Sequence, residues 1–178
     1  TTGAANTAIG AFALDSNTTA DNNTAVGYAA LTANSTGTRN AAVGAYALDA
    51  ATTAVDNVAM GYQALGAVTT GAYNTGIGSY AGDAITTGAH NTAIGQANGT
   101  ATTTASYNTS VGSQAFNVNT TGDGNTTVGF GALDANTTAH YNVAIGYQAL
   151  TANTTASNNV AVGMQSMYAN TTGANNVA

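Results

Sequence analysis

The chain has 178 residues, 44% of them apolar and only 4% charged: Arg39 and seven Asp, with two His and no Cys or Pro. One cation cannot neutralise a phosphate backbone, which excludes nucleic-acid binding, and the lack of Cys excludes disulfide frameworks and zinc–thiolate sites. No run approaches 18 uninterrupted apolar residues, so no membrane-spanning helix is expected.

Along the chain the organisation is a tandem repeat. A branched apolar residue or Met precedes Gly at Gly10, Gly27, Gly44, Gly61, Gly78, Gly95, Gly112, Gly129, Gly146 and Gly163, always 17 residues apart. Four residues before each Gly stands an Asn: Asn6, Asn23, Asn40, Asn57, Asn74, Asn91, Asn108, Asn125, Asn142 and Asn159, with Asn176 opening an eleventh copy. These Asn residues start the repeats of a single array spanning 1–178, whose consensus is N-T-A-V-G-Y-Q-A-L-D-A-N-T-T-G-A-Y. Below, turn 1 begins at Asn6 and turn 10 at Asn159, and positions 1–17 count from the Asn.

A period without insertions means that each copy is one turn of a stack. Helical repeats are disfavoured, because Gly, Thr, Asn and Val are frequent and Lys and Glu are absent. The pattern fits strands of three to five residues broken by Gly and by Asn-Thr-Thr turns, an all-β parallel β-solenoid. At about 4.8 Å per turn the array makes a rod roughly 50 Å long.

Each column then has a physical reading. An Asn side chain both donates and accepts, so the Asn column is expected to form a structural amide ladder. The Gly column marks a corner with positive φ or a close backbone neighbour. Small residues at positions 3 and 8 imply a thin coil. Few large side chains per turn remain to offset ordering costs of roughly 1–2 kcal/mol per residue. Some apolar columns should therefore face other chains, most simply around a threefold axis. The Thr pair at positions 13 and 14 presents only one outward Thr per turn, which weakens an ice-binding reading.

Tyr73, His90, Tyr107 and Tyr141 share position 17 and are candidate glycan contacts, or a packing ladder. The sequon residues Asn17, Asn34, Asn119, Asn136, Asn153 and Asn170 sit in what reads as an exposed turn, making them candidate glycosylation sites. Asp15, Asp49, Asp83 and Asp134 never occupy adjacent turns, so the nearest pair, about 9–10 Å apart, is too far to share a calcium ion. No Ser-His-Asp grouping is evident around His90 or His140, and neither catalytic residues, a metal site nor a cofactor is expected. The turn 91–107 is the softest, with Gln96, Ala97, Asn98 and Gly99 where aromatic residues and Leu usually stand. The chain opens T-T-G-A-A-N-T-A and closes T-T-G-A-N-N-V-A, in one phase and without a capping turn, so a window of a longer fibre is expected.

Asn-Thr-Ala-Ile-Gly (6–10), Asn-Thr-Ala-Val-Gly-Tyr (23–28) and Asn-Val-Ala-Ile-Gly-Tyr-Gln-Ala-Leu (142–150) resemble the YadA-like head repeats of trimeric autotransporter adhesins. They also resemble the N-T-A-V-G-Y-Q-A-L arrays of phage tail fibres and bacterial surface fibres. The resemblance implies a left-handed parallel β-roll, assembled as a homotrimer and serving attachment outside the cell. The chain departs from the adhesin heads in having Asn for Ser and a uniform 17-residue turn. The expected function is thus a non-enzymatic structural and adhesive fibre segment. Its partners would be copies of itself, as homotrimer or filament, and a cell-surface receptor or glycan. The alternative is an ice- or carbohydrate-binding β-solenoid module.

Overall fold

The computed structural model describes residues 2–178. Each turn contributes one three-residue strand at positions 2–4: β1 (Thr7–Ile9), β2 (Thr24–Val26), β3 (Ala41–Val43), β4 (Val58–Met60) and β5 (Thr75–Ile77). The series continues through β6 (Thr92–Ile94), β7 (Thr109–Val111), β8 (Thr126–Val128), β9 (Val143–Ile145) and β10 (Val160–Val162). All ten form one parallel sheet in sequence order, and Val58, for example, pairs in register with both Ala41 and Thr75. The described chain contains no helix, and the fold is a β-solenoid.

The sheet names only part of the ladder. Outside the strands most N–H groups also reach the neighbouring turn: Leu31 donates to the Ala47 carbonyl at 3.0 Å and Tyr46 to the Tyr28 carbonyl at 2.9 Å. Two tight bends reverse the chain within each turn. In turn 3, Ala47 N–H donates to the Gly44 carbonyl (3.3 Å), and Ala51 N–H donates to the Leu48 carbonyl (3.2 Å).

This wrapping depends on left-handed backbone at positions 7, 9 and 17, as at Gln63 (φ 53°), Leu65 (φ 51°) and Tyr73 (φ 59°). A left-handed L-residue costs roughly 1–2 kcal/mol, and it persists only where its surroundings over-determine it. Here the hydrogen bonds to both neighbouring turns do so. Position 5 is more extreme. Gly61 has φ +134°, and a Cβ there would lie 2.6 Å from the Gly78 carbonyl oxygen, so no side chain fits.

The core is a narrow column. Position 3 Ala and positions 8 and 9, Ala and Leu, point inward, and Leu31, Leu48, Leu65, Leu133 and Leu150 are fully buried. Burying one such Leu contributes about 1.5–3 kcal/mol. The column is not continuous. One apolar cluster runs from Leu14 to Ile85 and a second from Phe116 to Ala161. Turn 6 lies between them.

Candidate functional site

Strand alternation decides what the position 1 Asn can do. Its side chain points inward, and from Asn23 to Asn176 every backbone N–H donates to the Oδ1 of the Asn one turn earlier, at 2.9–3.1 Å. The side-chain amide adds further bonds. Asn57 Nδ2 donates to Asn40 Oδ1 at 3.1 Å and to the Gly71 carbonyl at 2.9 Å. Such a residue ties three segments of backbone together inside the coil and leaves no donor for a ligand.

The position 12 Asn residues require a correction. Asn34, Asn119, Asn136 and Asn153 are buried, and Asn17 and Asn170 are half-buried in the terminal turns. Each donates its Nδ2 to the carbonyl three residues on, such as Asn34 to Gly37 at 3.0 Å and Asn153 to Ala156 at 2.9 Å. Asn17 and Asn170 make the same bond, to Ala20 and Gly173. In Asn34, Asn119, Asn136 and Asn153 the nitrogen that would carry a glycan is spent inside the fold, so these four are not accessible modification sites, whereas Asn17 and Asn170 stay partly exposed. The left-handed residue at position 9 turns the following bend over and swings position 12 toward the core.

At position 17 the structure brings three of the four candidate glycan contacts together. Tyr73 and His90 stack at 4.8 Å with an 11° interplanar angle, and His90 and Tyr107 at 5.0 Å with 5°. The rings therefore cover one another's faces. Tyr141 stands apart beyond Gly124, its ring against the glycine at the place a Cβ would occupy. Earlier in the same column, Arg39 and Asp56 form a bidentate pair, Nε–Oδ1 2.6 Å and Nη2–Oδ2 2.7 Å. This pair holds the Asp56 carboxyl below its ordinary range and raises Arg39.

A second aromatic strip lies at positions 6 and 7. Phe12, Tyr28, Tyr46, Tyr62 and Tyr80 run up turns 1–5 in edge-to-face contact, with centroids 5.3–6.0 Å apart and planes at 72–89°. They alternate between positions 7 and 6, so Phe12, Tyr46 and Tyr80 recur every two turns, as do Tyr28 and Tyr62. That two-turn superperiod was the legible signal. In an edge-to-face pair only one ring gives its face, so ring faces stay open along this strip, unlike the stacked one.

Beside it, Asp49 and Asp83 flank Gly66 in a shallow notch of about 290 Å³ that also includes Gln63. Burial pushes both carboxyls, and that of Asp134, above their ordinary values. Among the described residues, no group of three or more His, Cys, Asp or Glu is placed to hold a metal ion.

Position 16 does stack Ser106, Asp123, His140 and Ser157 in successive turns. Their bonding is that of backbone caps. Asp123 Oδ1 accepts from Ser106 N–H (2.7 Å), His140 Nδ1 from Asp123 N–H (2.9 Å) and Ser157 Oγ from His140 N–H (3.0 Å). A Ser-His-Asp relay needs Nδ1–H donating to the carboxylate and Nε2 facing the hydroxyl. Here Nδ1 is itself an acceptor, and Asp123 Oδ2 lies 4.0 Å away.

Two outward features recur in every turn. Thr at position 13 donates its hydroxyl to the next turn's carbonyl, as from Thr18 to Ser35 (3.0 Å) and Thr120 to Thr137 (3.0 Å). The position 14 Thr row, from Thr19 to Thr172, is exposed throughout. On the sheet itself the position 4 residues point outward, and Ile9, Val43, Met60, Val128, Ile145 and Val162 are exposed. Their row extends along all ten strands, with Ile9 at 60% and Val162 at 56% of full exposure at the two ends. No family model, no curated protein and no solved structure matches this chain.

Proposed function

We propose that the chain is a structural and adhesive segment of an extracellular fibre, a rigid rod that self-associates as a homotrimer through its outward sheet face. The observation carrying this reading is the Val/Ile/Met row at position 4, which is apolar in every strand and outward along the whole sheet. A row of exposed and half-buried apolar side chains running the length of a sheet is unusual on a soluble monomer and marks an interaction face. The inward side supports it, since a coil with about one Leu per turn has little apolar volume of its own. The resemblance of the repeat motif to adhesin heads and tail fibres points the same way. Attachment then works through many weak, equivalent contacts along a nearly uncharged surface rather than through one pocket.

Light scattering on this segment tests the proposal. A mass of three chains is expected, nearly indifferent to salt because there is so little charge to screen. Met60→Asp with Val128→Asp should reduce it to single chains. A stable wild-type monomer overturns the proposal.

A second reading, a carbohydrate-binding module, is favoured by the open ring faces of the Phe12–Tyr80 strip. It predicts glycan-array binding that Tyr62→Ala abolishes while Tyr107→Ala does not. Binding unaffected by Tyr62→Ala removes it.

A further inference from the structure

We propose that turn 6 holds one internal water molecule, bound by Thr102, Ser110 and Asn98 in a small gap of the coil whose walls are otherwise largely apolar. The pocket arises from a missing side chain. Position 9, Leu in most turns, is Gly99, and a Cβ built there would meet nothing nearer than Thr102 Oγ1 at 3.7 Å. A cavity of about 10 Å³ remains, lined by Ile85, Ala93, Gly99, Thr102, Ser110 and Phe116 among others. That is close to the roughly 10–15 Å³ that admits a single water and too small for an organic ligand.

The chemistry around the cavity is that of a hydration site. Thr102 is 3% exposed, and its Oγ1 is buried without a protein hydrogen-bond partner. Ser110 and Asn98 are also buried, and Ser110 Oγ donates to Asn98 Oδ1. The Asn98 amide is engaged on its other side, donating to the Gly112 carbonyl at 2.7 Å. This leaves a hydroxyl with its full donor and acceptor capacity at Thr102, and free acceptor lone pairs at Ser110 and Asn98. One water accepts from the Thr102 hydroxyl and donates to the other two, which is the usual complement of about three bonds. A buried hydroxyl without any partner costs about 1–3 kcal/mol, so the site gains from being filled.

The test is a water NOE at the Thr102 methyl group in the methyl-labelled 178-residue chain, with thermal unfolding of two variants. A cross-peak from long-lived water is expected in the wild type. It should vanish in Gly99→Leu, whose side chain fills the cavity. Thr102→Val keeps the volume but removes a partner of the water, so its melting midpoint should fall. In a dry cavity the same change only deletes an orphaned hydroxyl, and the midpoint rises. Absence of the NOE in folded wild type, or a rising midpoint for Thr102→Val, overturns the proposal. Should Gly99→Leu fail to fold, Thr102→Val decides alone.

Discussion

Turns 5 and 6 carry the same lesion and resolve it differently. Both have Gly where the core Leu belongs, Gly82 and Gly99. In turn 5 the gap is closed from two sides. A Cβ on Gly82 would lie 2.9 Å from Leu65 Cδ2 of the turn before and 3.0 Å from Ile85 Cδ1 of the same turn. Gly76, standing where most turns have Ala, makes the room that Leu65 uses, since a Cβ there would meet Leu65 Cγ at 2.7 Å. Turn 6 has Thr102 in the place of Ile85, Asn98 in the place of Ala, and nothing reaching across. One turn therefore belongs to a dry cluster, and the next separates it from the second cluster. A missing Leu is harmless where neighbours supply volume. Where they supply hydroxyls and amides, the gap becomes polar.

The largest expected effect should be common to both regions, because the amide ladder passes through both. Asn74→Ala removes the acceptor of Asn91 N–H (3.0 Å) and Asn91 Nδ2 (3.1 Å), and frees the Gly88 carbonyl. With buried unsatisfied groups costing about 1–3 kcal/mol each, a loss of roughly 4 kcal/mol is expected in chemical denaturation. A loss below about 1 kcal/mol would mean that the ladder is decorative.

Exchanging the two solutions sharpens the comparison directly. Ile85→Thr should turn turn 5 into a second polar break, at a cost of about 2–3 kcal/mol from lost packing and a buried hydroxyl. Amide hydrogen exchange should then accelerate across residues 74–90. Thr102→Ile should do the reverse: its extra carbon takes the water's place and joins the two clusters, stabilising by about 1 kcal/mol. If both variants melt together with wild type, the division of the core has no energetic meaning.

The left-handed positions should be blind to the region. Ala29→Gly in turn 2 and Ala97→Gly in turn 6, at φ 54° and 48°, should each stabilise by up to about 1 kcal/mol by relieving the same backbone strain. Unequal effects would show that turn 6 is already relaxed.

The smallest effect is electrostatic. Burial raises the Asp83 carboxyl in the folded chain, so its ionised form opposes folding. That penalty is absent below the unfolded value of about 3.9 and complete once pH has risen through the raised folded value. Asp83→Asn should thus melt slightly higher than wild type at pH 7 and together with it near pH 3. Asp56 runs opposite. Its carboxyl is lowered by Arg39, so its contribution is present above the unfolded value and fades as pH falls through the folded one.

How much of this was legible varies by residue. The strands stand where branched residues precede Gly, because that combination suits an extended segment ending at a corner only Gly can turn. The softness of turn 91–107 was visible as four departures from consensus, but its polar interior was not. Thr102 stands in a Thr-rich turn, and only the folded coil shows that position 12 faces the core. The same reversal buries the sequon residues Asn34, Asn119, Asn136 and Asn153, although Asn-Thr-Thr has the composition of a solvated loop. The Tyr73–Tyr107 strip was legible from single-turn spacing, whereas the Phe12–Tyr80 strip needed the two-turn spacing that a single-turn consensus averages away.

By itself the sequence determined the period, the strand position and the stacking of like residues, because in-register parallel pairing leaves each residue only its own copies as neighbours. Only the tertiary structure decided which columns face inward beyond the strand. Simple alternation holds at positions 2–4 and fails after the Gly corner, where left-handed residues at positions 7 and 9 each reverse the chain's sense. Those conformations are imposed by hydrogen bonds from the turns above and below, on residues such as Leu and Gln that have no local preference for them.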